Sequence, residues 1–577
     1  MLTVELYDKY RRAPYLYISQ FSFCFIFHVT IEPAPGARGG GAGLGLPAIG
    51  DVVSVRGCVC PLRVCLSVVV KNFTVNTYSV DQEGIMLQFL ALTAIALSPH
   101  AHGPHTQPVA APIIEAPNIV TPLLPHGYKR AQEKSKVSLP GYNATELYSG
   151  FFTIDESTNS NTYFLFSTAQ SKRKDAPVIL WLNGGPGASS LLGFFDELGP
   201  FGIDENMKMV PREVSWNRDA HLLALDNPLG VGYSFTDSRS RMATNQTTVG
   251  ADLYGALDQF FQLFPDLRSN AFYATGESYA GKYIPAVAYT IHQRNSHASP
   301  ERQINLRGVG IGDGAFDPPT QFTGFGPLLF NIGLADTRMA KVYEQYDARF
   351  MSRLAAGDRV GAFRSFDEML NGDYYGPSRT YYGNTTGMGS NYFNYALEPG
   401  AASLTRRTFP AWLATARVAS ALHVGSVAYA VFNRTVEDRL IGDWVVGVVP
   451  MLEVLLEHYD VLIYSGQYDV ILGPPGTERA IDKLKWSGAE AYAAAPTERF
   501  VTAGADGAKD LAGYVRQVVQ QQRNAAATRH ARSTTFSYVM LRGCGHMVPS
   551  DQPHRAHEMI RRFLVPFAPL PQRGADE

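Results

Sequence analysis

From about residue 126 onward, apolar runs of strand length alternate with helical stretches: Thr162–Ser167, Val178–Leu182, Leu222–Leu225, Ala271–Ala274, Gly308–Gly312, Val461–Tyr464 and Phe536–Leu541. Short runs rich in branched and aromatic residues suit strands buried on both faces, and the stretches between them suit crossover helices. One such stretch, Val249–Phe264, sets Leu253, Leu257, Phe260, Phe261 and Phe264 at i, i+4, i+7, i+8 and i+11, a single helix face. This alternation confines the chain to an α/β architecture with a mostly parallel central sheet and helices on both faces. Between about 318 and 436 the rhythm is lost. Helical pieces and a Tyr/Gly/Asn-rich stretch (Tyr374–Tyr395) predict an insertion over the core. No internal repeat is visible.

At 577 residues the chain is long enough to bury a large core without a disulfide or metal staple. Fifty Lys and Arg stand against 52 Asp and Glu, with no long basic run, which argues against nucleic acid as the main partner. Residues 1–85 read differently from the rest. They hold the glycine run Gly39–Gly45, an aromatic stretch from Tyr15 to Val29 too short to span a bilayer, and Cys24, Cys58, Cys60 and Cys65. Met86 opens a short apolar run to Leu97 of signal-peptide length, although no Lys or Arg stands between Met86 and that run. Met86 therefore reads as a true start and residues 1–85 as an upstream extension of doubtful expression, against the alternative of a folded N-terminal segment. Residues 86–103 read as signal-peptide-like and 104–125, rich in Pro, Ala and His, as a linker or propeptide. The catalytic domain is expected over 126–568, and 569–577 as a tail.

Three elements carry chemistry. In Ala271-Phe-Tyr-Ala-Thr-Gly276-Glu277-Ser278-Tyr279-Ala280-Gly281 a strand runs into a sharp turn and a helix follows. Small residues two before and two after Ser278 relieve the crowding of a nucleophile elbow, although Ala280 replaces the usual last glycine. A tight structural turn is the competing reading of such a segment alone. A serine hydroxyl needs a base and a group to orient it. Asp469 follows the strand Val461–Tyr464, and His546 follows the strand Phe536–Leu541, both in loops after strand carboxyl ends, where open α/β sheets place their sites. Helix capping by Asp469 and an inert His546 are the bland alternatives; the order Ser, acid, His favours a triad. The third element, Val178–Leu182 followed by Asn183-Gly184-Gly185-Pro186-Gly187-Ala188-Ser189-Ser190, frees backbone N–H groups for an oxyanion hole. A phosphate cradle would need a Gly-Lys-Ser/Thr ending, which is missing.

Taken together, Trp181–Ser190, Asp226–Ser234, Gly276–Gly281, Gly312–Gly314, Ser465–Asp469 and Gly545–Pro549 resemble, in order and spacing, the serine carboxypeptidases, which are α/β-hydrolases of lysosomes and vacuoles. The likeness spans roughly 126–568, and Ile311–Asp317 and Gly383–Asn391 look most like the vitellogenic-like branch. It implies Ser278 as nucleophile, His546 as general base and acid, and Asp469 as orienter. It implies an oxyanion hole from the N–H groups of Gly185 and Tyr279, and a grip on the substrate's C-terminal carboxylate by Asn183 and Glu277, supported by Trp181 and Glu197. Leu192, Asp196 and Met547 fall where relatives line the pocket for the released residue. Asp196 reads either as a determinant for basic residues or as an exposed helix acid.

The expected activity is serine-type carboxypeptidase hydrolysis through an acyl-enzyme, favouring acidic pH, on peptides with a free C-terminal carboxylate. The alternatives are an acyltransferase on the same triad or a non-catalytic partner protein. No metal or organic cofactor is implied, because no His/Glu/Asp cluster has zinc-ligand spacing. A homodimer is left open. Many relatives carry cysteine at the place of Ala188, and vitellogenic-like ones at that of Met388; here Cys544 stands alone in the catalytic part, so that part forms no internal disulfide. The case for the secretory pathway, vacuolar, lysosomal or extracellular, then rests on the signal-like run and the Asn-x-Thr acceptors Asn143, Asn245, Asn384 and Asn433. Cys544 reads as a buried inert thiol.

Overall fold

The structure, a computed structural model, describes residues 15–18, 25–32, 52–59, 64–71, 116–389, 391–398, 404–503, 508–521 and 533–564. The chain divides into two units, Met1–Val109 and Ala110–Glu577. In the first, Tyr15–Ile18, Phe25–Glu32, Val52–Val59 and Val64–Lys71 pair in sequence order as an antiparallel meander. The signal-like run and the linker up to residue 115 lie outside the described residues, as does the tail. Among the described residues no helix is long and apolar enough to cross a membrane.

The second unit is built on one sheet. Its strands are β1 (Lys136–Val137), β2 (Leu147–Asp155), β3 (Ser160–Ser167), β4 (Val178–Leu182), β5 (His221–Leu225), β6 (Phe272–Glu277), β7 (Leu306–Gly312), β8 (Asp460–Gly466), β9 (Glu498–Ala503), β10 (Lys509–Gln521) and β11 (Ser533–Leu541). Their spatial order is β9-β10-β11-β8-β7-β6-β4-β5-β3-β2-β1. The centre, β5-β4-β6-β7-β8-β11, is parallel throughout. Both flanks are antiparallel hairpins, which the sequence reading folded into a mostly parallel sheet. Hairpin strands need no crossover helix, so helical spacing leaves no trace of them.

Alternation along the central strands feeds two cores. In β4, Val178, Leu180 and Leu182 face one core while Ile179 and Trp181 face the other. In β8, Val461 and Ile463 divide from Leu462 and Tyr464 in the same way. Helix α1 (Gln246–Leu263) covers the first face with the residues picked out by periodicity, Leu253, Leu257, Phe260 and Phe261, and its N-cap Asn245 accepts from Thr248 N–H. Beside it lie α2 (Ala280–Asn295) and α3 (Val449–His458). Helix α4 (Pro553–Leu564) buries Ala556, Met559, Ile560 and Phe563 on the second face. Between β7 and β8 the chain leaves the sheet and runs through helices, among them Thr337–Ala355, Arg359–Phe366, Tyr381–Thr386, Leu404–Leu413 and Arg434–Leu440.

Candidate active site

Strand β6 ends at Glu277 and α2 begins at Ala280, so Ser278 sits in the turn between them with φ 63°. That left-handed conformation is costly for a residue with a side chain and persists only where neighbours enforce it. Here Ser278 N–H donates to Gly312 O at 3.0 Å, while its carbonyl accepts from Gly281 N–H at 2.9 Å and Ala315 N–H at 3.0 Å. The small neighbours have a visible cause: a Cβ on Gly276 would lie 2.5 Å from Leu182 O and 2.9 Å from Ala280 Cβ. Ser278 itself is half-buried. The glycine-rich loop after β4 closes over the elbow. A Cβ on Gly184 would stand 2.3 Å from Tyr279 N and 2.9 Å from Ser278 Cβ, and Gly185 follows at φ 104°.

The loops after β8 and β11 meet. His546 Nδ1 and Asp469 Oδ2 are 2.8 Å apart, both buried, and Asp469 Oδ1 accepts from Leu472 N–H at 3.3 Å. Held by Nδ1–H, a neutral imidazole turns its other nitrogen into an acceptor. That atom, Nε2, is buried and makes no hydrogen bond among the described residues. The inserted region secures both loops through backbone groups. Tyr392 O accepts from Val470 N–H at 2.9 Å, Phe393 O from His546 N–H at 2.7 Å, and Tyr395 N–H donates to Tyr468 O at 3.1 Å. The Phe393 ring lies 4.9 Å from the imidazole. Sequence reasoning missed Phe393, because contacts made by main-chain atoms leave no residue signature.

A second cluster adjoins the elbow. Trp181 Nε1–H and Gly193 N–H both donate to Asn183 Oδ1 at 2.9 Å, which fixes the orientation of the amide. Its Nδ2 then donates to Glu277 Oε1 at 2.9 Å and Glu197 Oε1 at 3.2 Å. All four side chains are buried, with Glu197 and Glu277 exposed by only 1% and 3%. Arg212, absent from the sequence reading, is the cation beside this cluster. Burial lowers its pKa while Asp196 and Glu197 hold it up, and it donates to Phe195 O and Gly199 O. Asp196 is itself buried at 3% exposure, so its reading as an exposed helix acid is overturned: the stretch Gly193–Leu198 is tucked wholly beneath the surface. Leu192 and Met547 are half-buried.

Asp313, Asp469 and His546 offer ligand-type atoms within 4.8 Å of one another, the one such group among the described residues. The 2.8 Å contact joins Nδ1 and Oδ2 directly as a hydrogen bond. Asn143 and Asn384 are exposed, and Asn245 is exposed while capping α1. Asn433 differs: its amide donates to Gly230 O at 2.7 Å. Cys544 is buried, unbridged, and its thiol is pushed well up by burial.

The model of the serine carboxypeptidase family matches residues 139–565. The chain belongs to the serine carboxypeptidase family. Its class is that of a serine-type carboxypeptidase, a hydrolase of peptides. The carboxypeptidase is 38% identical over 448 residues to the venom serine carboxypeptidase of Apis mellifera, covering 78% of this chain and 90% of that protein. It is 38% identical over 452 residues to the probable serine carboxypeptidase CPVL of Homo sapiens (78% and 89%). It is 36% identical over 450 residues to the vitellogenic carboxypeptidase of Aedes aegypti (78% and 89%). Among solved structures, a prohormone-processing carboxypeptidase of Saccharomyces cerevisiae superposes with a TM-score of 0.64 at 22% identity, covering 75% of this chain and 96% of that one, a likeness of fold.

Proposed function

We propose that the carboxypeptidase removes C-terminal residues by acyl transfer to Ser278. His546 Nε2 takes the proton from Ser278 Oγ as it attacks the last peptide carbonyl, and returns it to the departing amine. Asp469 holds the ring so that Nε2 is the basic nitrogen. The N–H groups of Tyr279 and Gly185 receive the negative charge that develops on the carbonyl oxygen. Water then hydrolyses the acyl-enzyme by the reverse proton path.

The observation that carries this reading is the chain adjacency of Glu277 and Ser278, with Glu277 on the buried Asn183 amide. A carboxylate recognised there lies one residue from the nucleophile, which restricts attack to the terminal bond. Two buried carboxyl groups on one amide repel unless they share a proton. In this proposal Glu277 and Glu197 hold that proton, and Glu277 donates it as a hydrogen bond to the substrate carboxylate. Loss of the proton as pH rises weakens peptide binding, so peptidase activity favours acidic pH. Entry into the secretory pathway, with a vacuolar, lysosomal or extracellular destination, and glycosylation at exposed acceptors complete the reading.

The test pairs labelling with kinetics. A fluorophosphonate should modify Ser278, and E277Q should flatten the acid preference on an N-blocked dipeptide while ester hydrolysis falls far less. Absence of labelling, or wild-type peptidase activity that peaks above pH 8, would sink the mechanism.

A further inference from the structure

Behind the Asp469–His546 pair stands a second carboxyl group. Asp313 follows β7 with φ 40°, a strained conformation for aspartate, and is fully buried. Its N–H donates to Tyr464 O at 2.8 Å, and Gly466 N–H donates to its Oδ1 at 2.8 Å. These two bonds clamp Asp313 between the ends of β7 and β8, next to the loop that carries Asp469. Its other oxygen, Oδ2, is buried and meets no donor among the described residues. Asp313, Asp469 and His546 present atoms within 4.8 Å of one another.

Two buried carboxyl groups this close do not both ionise. The partners decide which keeps the charge. Asp469 accepts from His546 Nδ1 and Leu472 N–H, one donor for each oxygen. Asp313 has a single donor, on Oδ1. Its oxygen without a donor, Oδ2, therefore takes the proton, and burial together with the Asp469 charge pushes its carboxyl far above the usual range. The titratable groups facing it are Asp469, Glu277, Tyr464, Tyr538, Cys544 and His546. The first five bring no positive charge that would favour its ionisation.

We propose that Asp313 is a positioning residue whose neutral carboxyl donates from Oδ2 to Asp469, holding that carboxylate against His546. The proposal rests on the triad reading above. The donated bond also spreads the Asp469 charge, which keeps the imidazolium from being over-stabilised.

Asparagine is the discriminating substitution, because its amide reproduces one donor and one acceptor but cannot ionise. The experiment uses the full chain, with fluorophosphonate labelling and steady-state kinetics on an N-blocked dipeptide across pH. Wild-type labelling at Ser278 establishes the triad; its absence defeats that reading and this proposal with it. Given labelling, D313N should keep kcat within about threefold and leave the pH profile in place. D313A should lower kcat by about 10- to 100-fold, the worth of a charge-assisted hydrogen bond, with KM changed little. It should also move the acidic limb of kcat/KM to higher pH, because the Asp469 charge facing the imidazole is then unshared. A D313N as impaired as D313A, or a displaced limb in D313N, overturns the proposal. So does a D313A with wild-type kcat and profile. If D313A does not fold, the D313N profile alone decides.

Discussion

Beneath the elbow, Lys282 is completely buried on α2, one turn beyond Ser278, with its Nζ 2.6 Å from Asp443 Oδ2 and also bonded to Asp443 O. The same Oδ2 accepts from Tyr279 OH at 2.7 Å and Gln246 Nε2–H at 2.6 Å. The ammonium lies 4.9 Å from the Tyr279 ring. Burial lowers the Lys282 pKa to about 8 in spite of Asp443. D443A takes the carboxylate from all three donors, leaving Lys282 the main-chain Asp443 O and Gln246 only a long 3.5 Å contact with Tyr279 OH. At pH 7 the ammonium sheds its proton after about 1.4 kcal/mol, one further pH unit, so its own penalty is capped near that figure. Two orphaned buried donors add about 1–1.5 kcal/mol each. The expected loss is about 4 kcal/mol, in line with the 3–5 typical of a broken buried pair. K282M leaves Asp443 with two donors and should cost less, about 2 kcal/mol. The double variant K282M/D443A should lose at least about 2 kcal/mol less than the sum, because neither charge is then stranded. Urea unfolding at pH 7 with matched slopes measures all three. The sign against pH follows from the lowered folded pKa. Between about 8 and the unfolded value of 10.5, the unfolded state binds more protons, so wild-type stability rises with pH, a slope missing in K282M. Losses that add within about 0.5 kcal/mol would refute the reasoning.

Two further outcomes follow from the same structure. Burial lowers the pKa of His221 from 6.5 to about 4, and its Nδ1 accepts from Ala169 N–H at 3.2 Å. The unfolded state therefore binds the extra proton between those values, and this histidine costs the fold up to about 3 kcal/mol as pH falls from 6.5 to 4; denaturant titrations should show H221N gaining on wild type over that window. G184A should leave the fold in place but lower kcat by about a hundredfold or more, because its Cβ would crowd Tyr279 N–H, the proposed oxyanion donor; a G184A enzyme with normal kcat would place the oxyanion elsewhere.

Much of the site was legible because its signals are local. An apolar run ending at Gly276, Gly466 or Leu541 marks a strand, and the residue just beyond it inherits a position at the sheet's carboxyl edge. Small residues around Ser278 encode a turn that tolerates no larger neighbour. The sequence leaves Asp196 open between two readings because burial of a short acidic stretch depends on what packs over it. Phe393 was invisible because its backbone acts on His546, far along the chain, and Arg212 because only folding of the intervening segment brings it back onto residues 13 to 17 positions earlier.

By itself, then, the sequence determined the α/β layering, the placing of Ser278, Asp469 and His546 after strand ends, and the glycine loop, all properties of residue type and short-range spacing. Only the tertiary structure decided the antiparallel flanks, the 2.8 Å contact of Asp469 with His546, the Asn183 amide shared by two glutamates, and Asp313 behind the Asp469–His546 pair. Strand β7 must lie between β6 and β8 before Asp313 can reach Gly466, 153 positions along the chain. Such pairings arise from the register of neighbouring strands, which is set by packing across the whole sheet rather than within any one segment.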